Sequence, residues 1–170
     1  MLSGFIEIGA GEKAIWKTVQ QMASAAISAA HRNIVILTAQ RIVKDHPDRL
    51  DQAKALYQWV KDHVTYVNDP TARKGEHFDM LQTPEYMLTN INIHGKWAGD
   101  CDCGATLLAA LLLSVGFNAG FRVIGPSGNE LKHVYNIIFH RGQIYPMDVI
   151  EPAYEFGQEH AYVRKEDVWL

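Results

Sequence analysis

The side chains best suited to covalent chemistry are two cysteines in the segment Gly99-Asp-Cys101-Asp-Cys103-Gly104. A strongly apolar stretch follows, so Cys101 falls where a loop is expected to turn into a buried helix. The unpaired N–H groups and positive dipole end of a helix N-terminus favour a thiolate, the nucleophilic form of cysteine. Gly99 lets the backbone pass closely before the thiol, and the backbone N–H of Cys101 is placed to bind an oxyanion. This segment is therefore a candidate site of thiol chemistry.

The residues alone leave the role of each cysteine open. Two positions along a helix differ by about 200° in direction, so both thiols cannot face one partner. Either thiol is also compatible with a small side chain that fills space in a core. Asp100 and Asp102 oppose a strong lowering of the thiol pKa unless a cation compensates. A zinc site formed by Cys101, Cys103, His133 and the flanking aspartates is a further alternative, but Cys-x-Cys lacks the usual spacing of roughly two to four residues and no second ligand pair is evident.

A histidine and an aspartate in the second half of the chain form a candidate partner pair for the thiol. Residues 131–140 alternate as in a strand, and His133 heads an otherwise apolar face that should pack on the core. A two-residue turn at Arg141-Gly142 places His133 opposite Ile150 and makes Asp148 its diagonal neighbour. Pro146 indicates an edge strand or a bulge nearby. The pair is typical either of a catalytic His–Asp couple or of a core histidine satisfied by a carboxylate.

The elements that must position these residues follow from local pattern. Apolar spacing, caps and breakers predict helices over 12–31, 33–44 (capped by Asn33), 51–63, 84–90 (capped by Thr83) and 102–115, with Gly116 as the stop. Alternation and turn residues predict strands over 5–8, 64–67, 119–124, 131–140 and 143–150, with loops over 71–81 and 91–99. The last twenty residues give no clear pattern. Helices first and an antiparallel meander last indicate an α+β fold.

Length and composition narrow the class of protein. The chain has 170 residues, 48% hydrophobic and 21% charged, which fits one domain with a real core. A net charge of −3 without a basic run excludes the footprint of a nucleic-acid binder. The most apolar segment, 105–115, is too short to span a membrane. A disulfide between the two cysteines would be strained, which favours a reducing compartment. Glu7 interrupts the first apolar stretch, so we expect no signal peptide and a cytoplasmic location.

At this point the ordered motifs resemble a known family. The chain is similar to transglutaminase-like proteins with a papain-like α+β core, most closely to the small phage- and prophage-borne type. The resemblance covers nearly the whole chain and follows the order Cys helix, His strand, Asp strand. The matching segments are Ala55 to Val60, Val64 to Pro70, Leu81-Gln-Thr-Pro84, Gly99-Asp-Cys101-Asp102, Leu107 to Gly116, Arg122-Val123, His133-Val-Tyr135 and Met147-Asp148.

The resemblance implies a role for each site residue. It selects Cys101 over Cys103 as the nucleophile and makes His133 and Asp148 the other members of a triad. Gln82 lies in the segment from which related enzymes supply a side-chain oxyanion donor. Family members often carry an acidic residue where this chain has Cys103, so that thiol departs from the pattern.

The resulting expectation is one transglutaminase-like domain over 1–170, with a helical part at about 12–90, a catalytic helix at about 101–115 and an antiparallel sheet at about 117–150. We expect thiol-dependent acyl transfer at amide bonds of a protein or peptide substrate, without a cofactor, a metal, nucleic acid or a membrane. The absence of a calcium-loop pattern favours hydrolysis over cross-linking. The alternative is a non-catalytic assembly module, associated with a virion if the chain is phage-encoded. The sequence carries no signal for an oligomeric state.

Overall fold

The computed structural model describes residues 6–8, 12–67, 77–79 and 81–170. Within these ranges, the helices are α1 (Glu12–Ala29), α2 (Asn33–Val43), α3 (Arg49–His63), α4 (Pro84–His94) and α5 (Cys101–Ser114). The strands are β1 (Ile6–Ile8), β2 (Val64–Tyr66), β3 (His77–Asp79), β4 (Trp97–Gly99), β5 (Asn118–Gly125), β6 (His133–His140), β7 (Gln143–Met147) and β8 (Arg164–Trp169). No helix in these ranges is long and apolar enough to cross a membrane.

Helix α5 forms the centre of the fold. Every residue from Cys103 to Leu112 is buried, because α1, α2, α3, α4, β5 and β6 all pack against the helix. A helix that is apolar all round can be stable only in such a fully enclosed position. Gly116 adopts the left-handed conformation at φ +78° and ends α5 as its sequence predicts. The α+β architecture, with a buried Cys-bearing helix on an antiparallel sheet, is confirmed.

Four antiparallel strands form the main sheet in the order β7-β6-β5-β8. The β6–β7 hairpin has the predicted register, since His140 pairs with Gln143 across the turn at Arg141-Gly142. Pro146 lies on β7, which is an edge strand, as expected for a residue that cannot donate a ladder hydrogen bond. The hairpin pairing stops at Asn136 and Met147, so the prediction that β7 continues to Ile150 and pairs it with His133 is wrong.

The helical half departs from prediction mainly at element ends. Helix α4 starts as predicted, with Thr83 as its cap and Pro84 as its first residue, but it runs on to His94 and ends at left-handed Gly95. Helix α2 has Arg32, not Asn33, at its N-cap position, and no side chain caps it. Helix α3 starts two residues early because the Asp48 carboxylate accepts hydrogen bonds from the N–H groups of Leu50 and Asp51.

Two predicted loops contain strands. Residues 97–99 form β4, which pairs in parallel with β2, and residues 77–79 form β3, which pairs antiparallel with β1. Both strands have three residues and depend on a distant partner, so local pattern does not reveal them. The rest of the predicted loop at 71–76 and 80, and residue 5 of the first predicted strand, lie outside the described residues.

The last twenty residues, for which the sequence gives no pattern, complete the sheet. Strand β8 pairs with β5 from Gly125↔Arg164 to Gly120↔Trp169. Its side chains alternate between half-buried and exposed, so it lacks the apolar face by which strands are recognised. The segment between β7 and β8, residues 148–163, has no regular strand or helix and carries part of the candidate site.

Candidate active site

Cys101 is the first residue of α5, and local hydrogen bonds fix that helix start. Asp100 occupies the N-cap position, where its carboxylate accepts a hydrogen bond from the backbone N–H of Cys103 at 3.2 Å. The backbone N–H of Val134 on β6 donates to the Cys101 sulfur. The sulfur therefore sits where the helix N-terminus meets the strand that carries His133, and part of Cys101 remains accessible to solvent.

The thiol of Cys101 is not activated by the helix end alone. Burial raises its pKa well above the ordinary value, and the carboxylates of Asp102 and Asp100 raise it further. The N–H of Val134 opposes this rise without reversing it. Since the neutral thiol is favoured at neutral pH, a nearby base must remove its proton before the sulfur can attack a carbonyl.

His133 and Asp148 form the predicted pair, although Asp148 lies beyond the end of β7. His133 Nε2 and Asp148 Oδ2 are 2.6 Å apart, and the Asp148 side chain is 2% exposed. Burial alone raises the pKa of Asp148, but the hydrogen bond and charge of His133 and the N–H groups of Ile150 and Glu151 outweigh it and lower the pKa. Asp148 is therefore an ionised acceptor, and Nε2 of His133 must carry the hydrogen. In the neutral ring this leaves the lone pair on Nδ1.

A second histidine, His160, also bonds to Asp148, and the sequence did not predict it. His160 Nε2 lies 2.8 Å from the same Oδ2 atom of Asp148, and the His160 ring stands edge-on to that of His133 at 5.2 Å between centroids. His160 is not among the site residues predicted from the sequence. Its side chain is only 11% exposed. No sequence pattern marks it, because it sits in an irregular segment and meets Asp148 only through the tertiary fold.

Gln82 and Cys103 meet on the other side of the helix start. The donor-only Nε1 of Trp97 lies 2.7 Å from Gln82 Oε1, which orients the amide and makes Nε2 its donor end. The backbone N–H of Gln82 donates to the Cys103 sulfur at 3.5 Å, and Cys103 is 1% exposed. Burial raises the Cys103 pKa strongly. Cys103 therefore acts as a core residue that holds the Gln82 segment.

Glycine at two positions permits the close packing of this site. A Cβ on Gly99 would fall 1.7 Å from the Trp97 ring, so the indole that orients Gln82 requires glycine there. A Cβ on Gly104 would come within 3.0–3.2 Å of Ile150 and Val149, the residues that follow Asp148. Gly104 therefore lets α5 approach the segment that carries the carboxylate.

The described residues contain one group suited to a metal, and it differs from the zinc alternative. One ligand atom from each of His133, Asp148 and His160 lies within 4.8 Å of the others. Cys101 and Cys103 are not in that group. The short N···O distances of 2.6 and 2.8 Å are those of hydrogen bonds to an ionised carboxylate.

The sequence matches one known protein family over most of its length. The sequence profile of the transglutaminase-like superfamily matches residues 37–163, more than half of the chain. The chain belongs to the transglutaminase-like superfamily. No curated protein matches the sequence of this transglutaminase-like chain.

Solved structures share the fold at low sequence identity. A candidate cysteine protease from Cytophaga hutchinsonii aligns with a TM-score of 0.52 and 15% identity over 78% of this chain and 41% of that one. A candidate protease from Parabacteroides distasonis aligns with a TM-score of 0.56 and 11% identity over 76% of this chain and 26% of that one. The transglutaminase-like chain thus spans less than half the length of either protein. The predicted closeness to phage-type members stays a prediction.

Proposed function

We propose that this chain is a cysteine-dependent acyl-transfer enzyme acting on amide bonds, as a peptidase, an amidase or a transglutaminase. One observation carries the proposal: His133 donates to the buried carboxylate of Asp148, while the N–H of its chain neighbour Val134 donates to the Cys101 sulfur. The thiol, the imidazole and the carboxylate are thereby supplied by three adjoining segments. Membership of the superfamily and the fold shared with candidate proteases support the same assignment.

Each side chain of the candidate site has its own role in the proposed acyl transfer. Nδ1 of His133 takes the thiol proton, and the Cys101 sulfur attacks the carbonyl carbon of the amide. The backbone N–H of Cys101, with the Nε2 group of Gln82, stabilises the negative oxygen of the tetrahedral intermediate. The imidazolium returns its proton to the departing amine, which leaves a thioester on Cys101. Water then releases an acid, or a lysine amine releases a new amide. Asp148 holds the His133 ring and stabilises its charged form throughout.

The decisive experiment is alkylation of each cysteine by iodoacetamide as a function of pH, read separately by mass spectrometry. We expect Cys101 to react at neutral pH and Cys103, which is buried, to resist. His133→Ala should slow Cys101 alkylation at least tenfold, because the remaining environment favours the neutral thiol. His140→Ala, at the other end of the same strand, is the matched control and should leave the rate unchanged. Equal rates in the wild type and His133→Ala would contradict the proposal.

The acyl acceptor is tested with one protein substrate and two readouts. Casein incubated with the wild type should release peptides if water is the acceptor, and should incorporate a fluorescent primary amine if an amine is. Cys101→Ala should abolish either signal while Cys103→Ala, which keeps the nucleophile, should retain it.

The raised pKa of Cys101 favours a second candidate, a non-catalytic module that keeps the fold for assembly with another protein. A sulfur held neutral by burial and two carboxylates is poorly prepared for attack unless His133 acts on it. This candidate predicts that Cys101→Ala leaves the biological role of the folded protein intact. Loss of that role in a folded Cys101→Ala variant would exclude it.

A further inference from the structure

The Asp148 carboxylate has two imidazole partners on one oxygen. Its Oδ1 accepts from the N–H groups of Ile150 at 2.9 Å and Glu151 at 3.2 Å. Its Oδ2 accepts from His133 at 2.6 Å and His160 at 2.8 Å. Because Asp148 is ionised, both imidazoles donate. Four donors therefore fix the rotation of this carboxylate, and one of them comes from His160.

Stacking holds the His160 ring in the orientation that this bond needs. The ring lies nearly parallel to that of Tyr154, with 3.7 Å between centroids and 9° between planes. The Tyr135 ring lies against the His160 ring, with 4.8 Å between their centroids. The carbonyl of Tyr154 in turn accepts from the hydroxyl of Tyr57 at 2.7 Å and from the Lys61 ammonium, both on α3. The His160 ring therefore packs between Tyr135 on the sheet and Tyr154, whose carbonyl is hydrogen-bonded to α3.

An ion pair between the buried Arg122 and the more exposed Glu159 anchors the chain immediately before His160. Glu159 accepts hydrogen bonds from the guanidinium of Arg122 and the hydroxyl of Tyr135. Arg122 is 3% exposed and makes a two-pronged pair with Asp167 at 2.6 Å on the adjacent strand. Such a bidentate pair fixes direction as well as distance. The irregular segment is therefore attached to the sheet at Glu159, the residue before His160.

We propose that His160 is a positioning residue of the candidate active site, holding the Asp148 oxygen in line with Nε2 of His133. This inference rests on the proposed function, in which Asp148 orients His133 and stabilises its charged form. His160 touches neither the sulfur nor a substrate in this role and acts through Asp148. Without it, Oδ2 has His133 as its one side-chain donor among the described residues, and the carboxylate loses one of the four donors that fix its rotation.

Two substitutions separate the hydrogen bond from the packing of the ring. His160→Phe keeps the stacking surface against Tyr154 but removes the donor, whereas His160→Gln keeps an N–H donor at similar reach. His140→Phe makes the same change at the far end of β6 and serves as the control. Thermal unfolding of each variant checks that the fold persists.

The first readout is the rate of Cys101 alkylation by iodoacetamide at neutral pH. We expect His160→Phe to slow it about tenfold, as for loss of a hydrogen bond to a charged group, and His160→Gln to restore most of the rate. In an Asp148→Asn background, His160→Phe should change the rate less than about twofold, because coupled residues are not additive. The same loss in both backgrounds would mean a general structural effect and would overturn the proposal.

The second readout does not depend on reactivity. In ¹⁵N-labelled wild-type protein, NMR should show downfield imidazole N–H resonances from both His133 and His160. His160→Phe should also broaden the His133 resonance through faster exchange with water, and His160→Gln should preserve it. Absence of both resonances in the wild type, or an unchanged His133 resonance in His160→Phe, overturns the proposal.

The two hypotheses fail in different ways. A wild-type alkylation rate equal to that of His133→Ala contradicts the proposed function, while the NMR result still decides the role of His160. A fast wild type that His160→Phe does not slow contradicts the positioning role and leaves the proposed function standing. Binding of one equivalent of Zn²⁺ that is lost in His160→Phe would also overturn the proposal, since a metal would then hold the three side chains.

Discussion

At Cys101, two opposing influences set the charge of the sulfur. The helix N-terminus and the N–H of Val134 favour a thiolate, whereas burial and the carboxylates of Asp102 and Asp100 favour the thiol. The net pKa is raised. Under the proposed function, His133 must therefore remove the thiol proton, and reactivity should depend on the His133–Asp148 pair more than on the helix itself.

Substituting Asp102 tests that balance directly. In a His133→Ala background, Asp102→Asn should lower the pKa of Cys101, because a nearby negative charge that disfavours the thiolate is removed. The pH midpoint of alkylation should move down and the rate at neutral pH should rise. Mass spectrometry of the Cys101 peptide across pH measures both quantities.

Asp45→Asn removes an exposed carboxylate just after the end of α2 and provides the charge control for this measurement. It should leave the midpoint unchanged. A midpoint that stays fixed or rises in Asp102→Asn would show that Asp102 does not act on the sulfur through its charge.

Among the elements, α5 and the segment after β7 must approach closely for the site to form. Gly104 provides that closeness on the helix, since a Cβ there would press on Val149 and Ile150. Asn136 on β6 adds a polar link, because its side-chain amide donates to the Ala105 carbonyl at 2.9 Å. Helix, strand and segment are thus fixed to one another within a few residues of Cys101, His133 and Asp148.

Gly104→Val should disturb this contact more than it disturbs the helix. A Cβ alone would lie 3.0–3.2 Å from Ile150 and Val149, and valine adds two methyl groups beyond it, so we expect the segment carrying Asp148 to move away. We expect the free energy of unfolding to fall by about 1–3 kcal/mol, as in other overpacked cores. Cys101 alkylation at neutral pH should slow in parallel.

Ala110→Val on the same buried helix is the matched overpacking control. It should lower stability by a similar amount without slowing alkylation per folded molecule. If the two variants slow alkylation equally, Gly104 has no special relation to the site.

In the whole molecule, Arg122 joins parts of the chain that are far apart in sequence. It is buried on β5, pairs with Asp167 on β8 and holds Glu159 in the segment that carries His160. Strand β8 has little apolar surface of its own to fix its place. This charge network therefore attaches the C-terminal part of the chain to the sheet and sets the position of His160.

Arg122→Leu should lower the free energy of unfolding by about 1–3 kcal/mol, because it removes the charge-assisted hydrogen bonds to two carboxylates that solvent partly reaches. Chemical denaturation measures that loss. Arg164→Leu removes an ion-paired arginine from the exposed end of the same sheet and should cost far less, since surface pairs contribute little. Comparable losses in the two variants would show that burial of Arg122 is not what makes its pairs stabilising.

The sequence by itself determined the buried Cys-bearing helix, the β6–β7 hairpin register and the fold class. These features depend on residues close together in the chain: apolar periodicity, a stop at Gly116 and a two-residue turn. It also pointed to His133 and Asp148 as a pair, and its resemblance to transglutaminase-like proteins selected Cys101 over Cys103.

Only the tertiary structure decided that His160 shares the carboxylate of Asp148 and that burial keeps the Cys101 thiol neutral. The tertiary structure also decided where the three-residue strands and β8 form, because the partners of these strands lie far away in the chain. Local pattern reports which face of an element is apolar, because periodicity is a property of neighbouring residues. Burial, hydrogen-bond partners and pKa depend on groups that only the folded chain brings together.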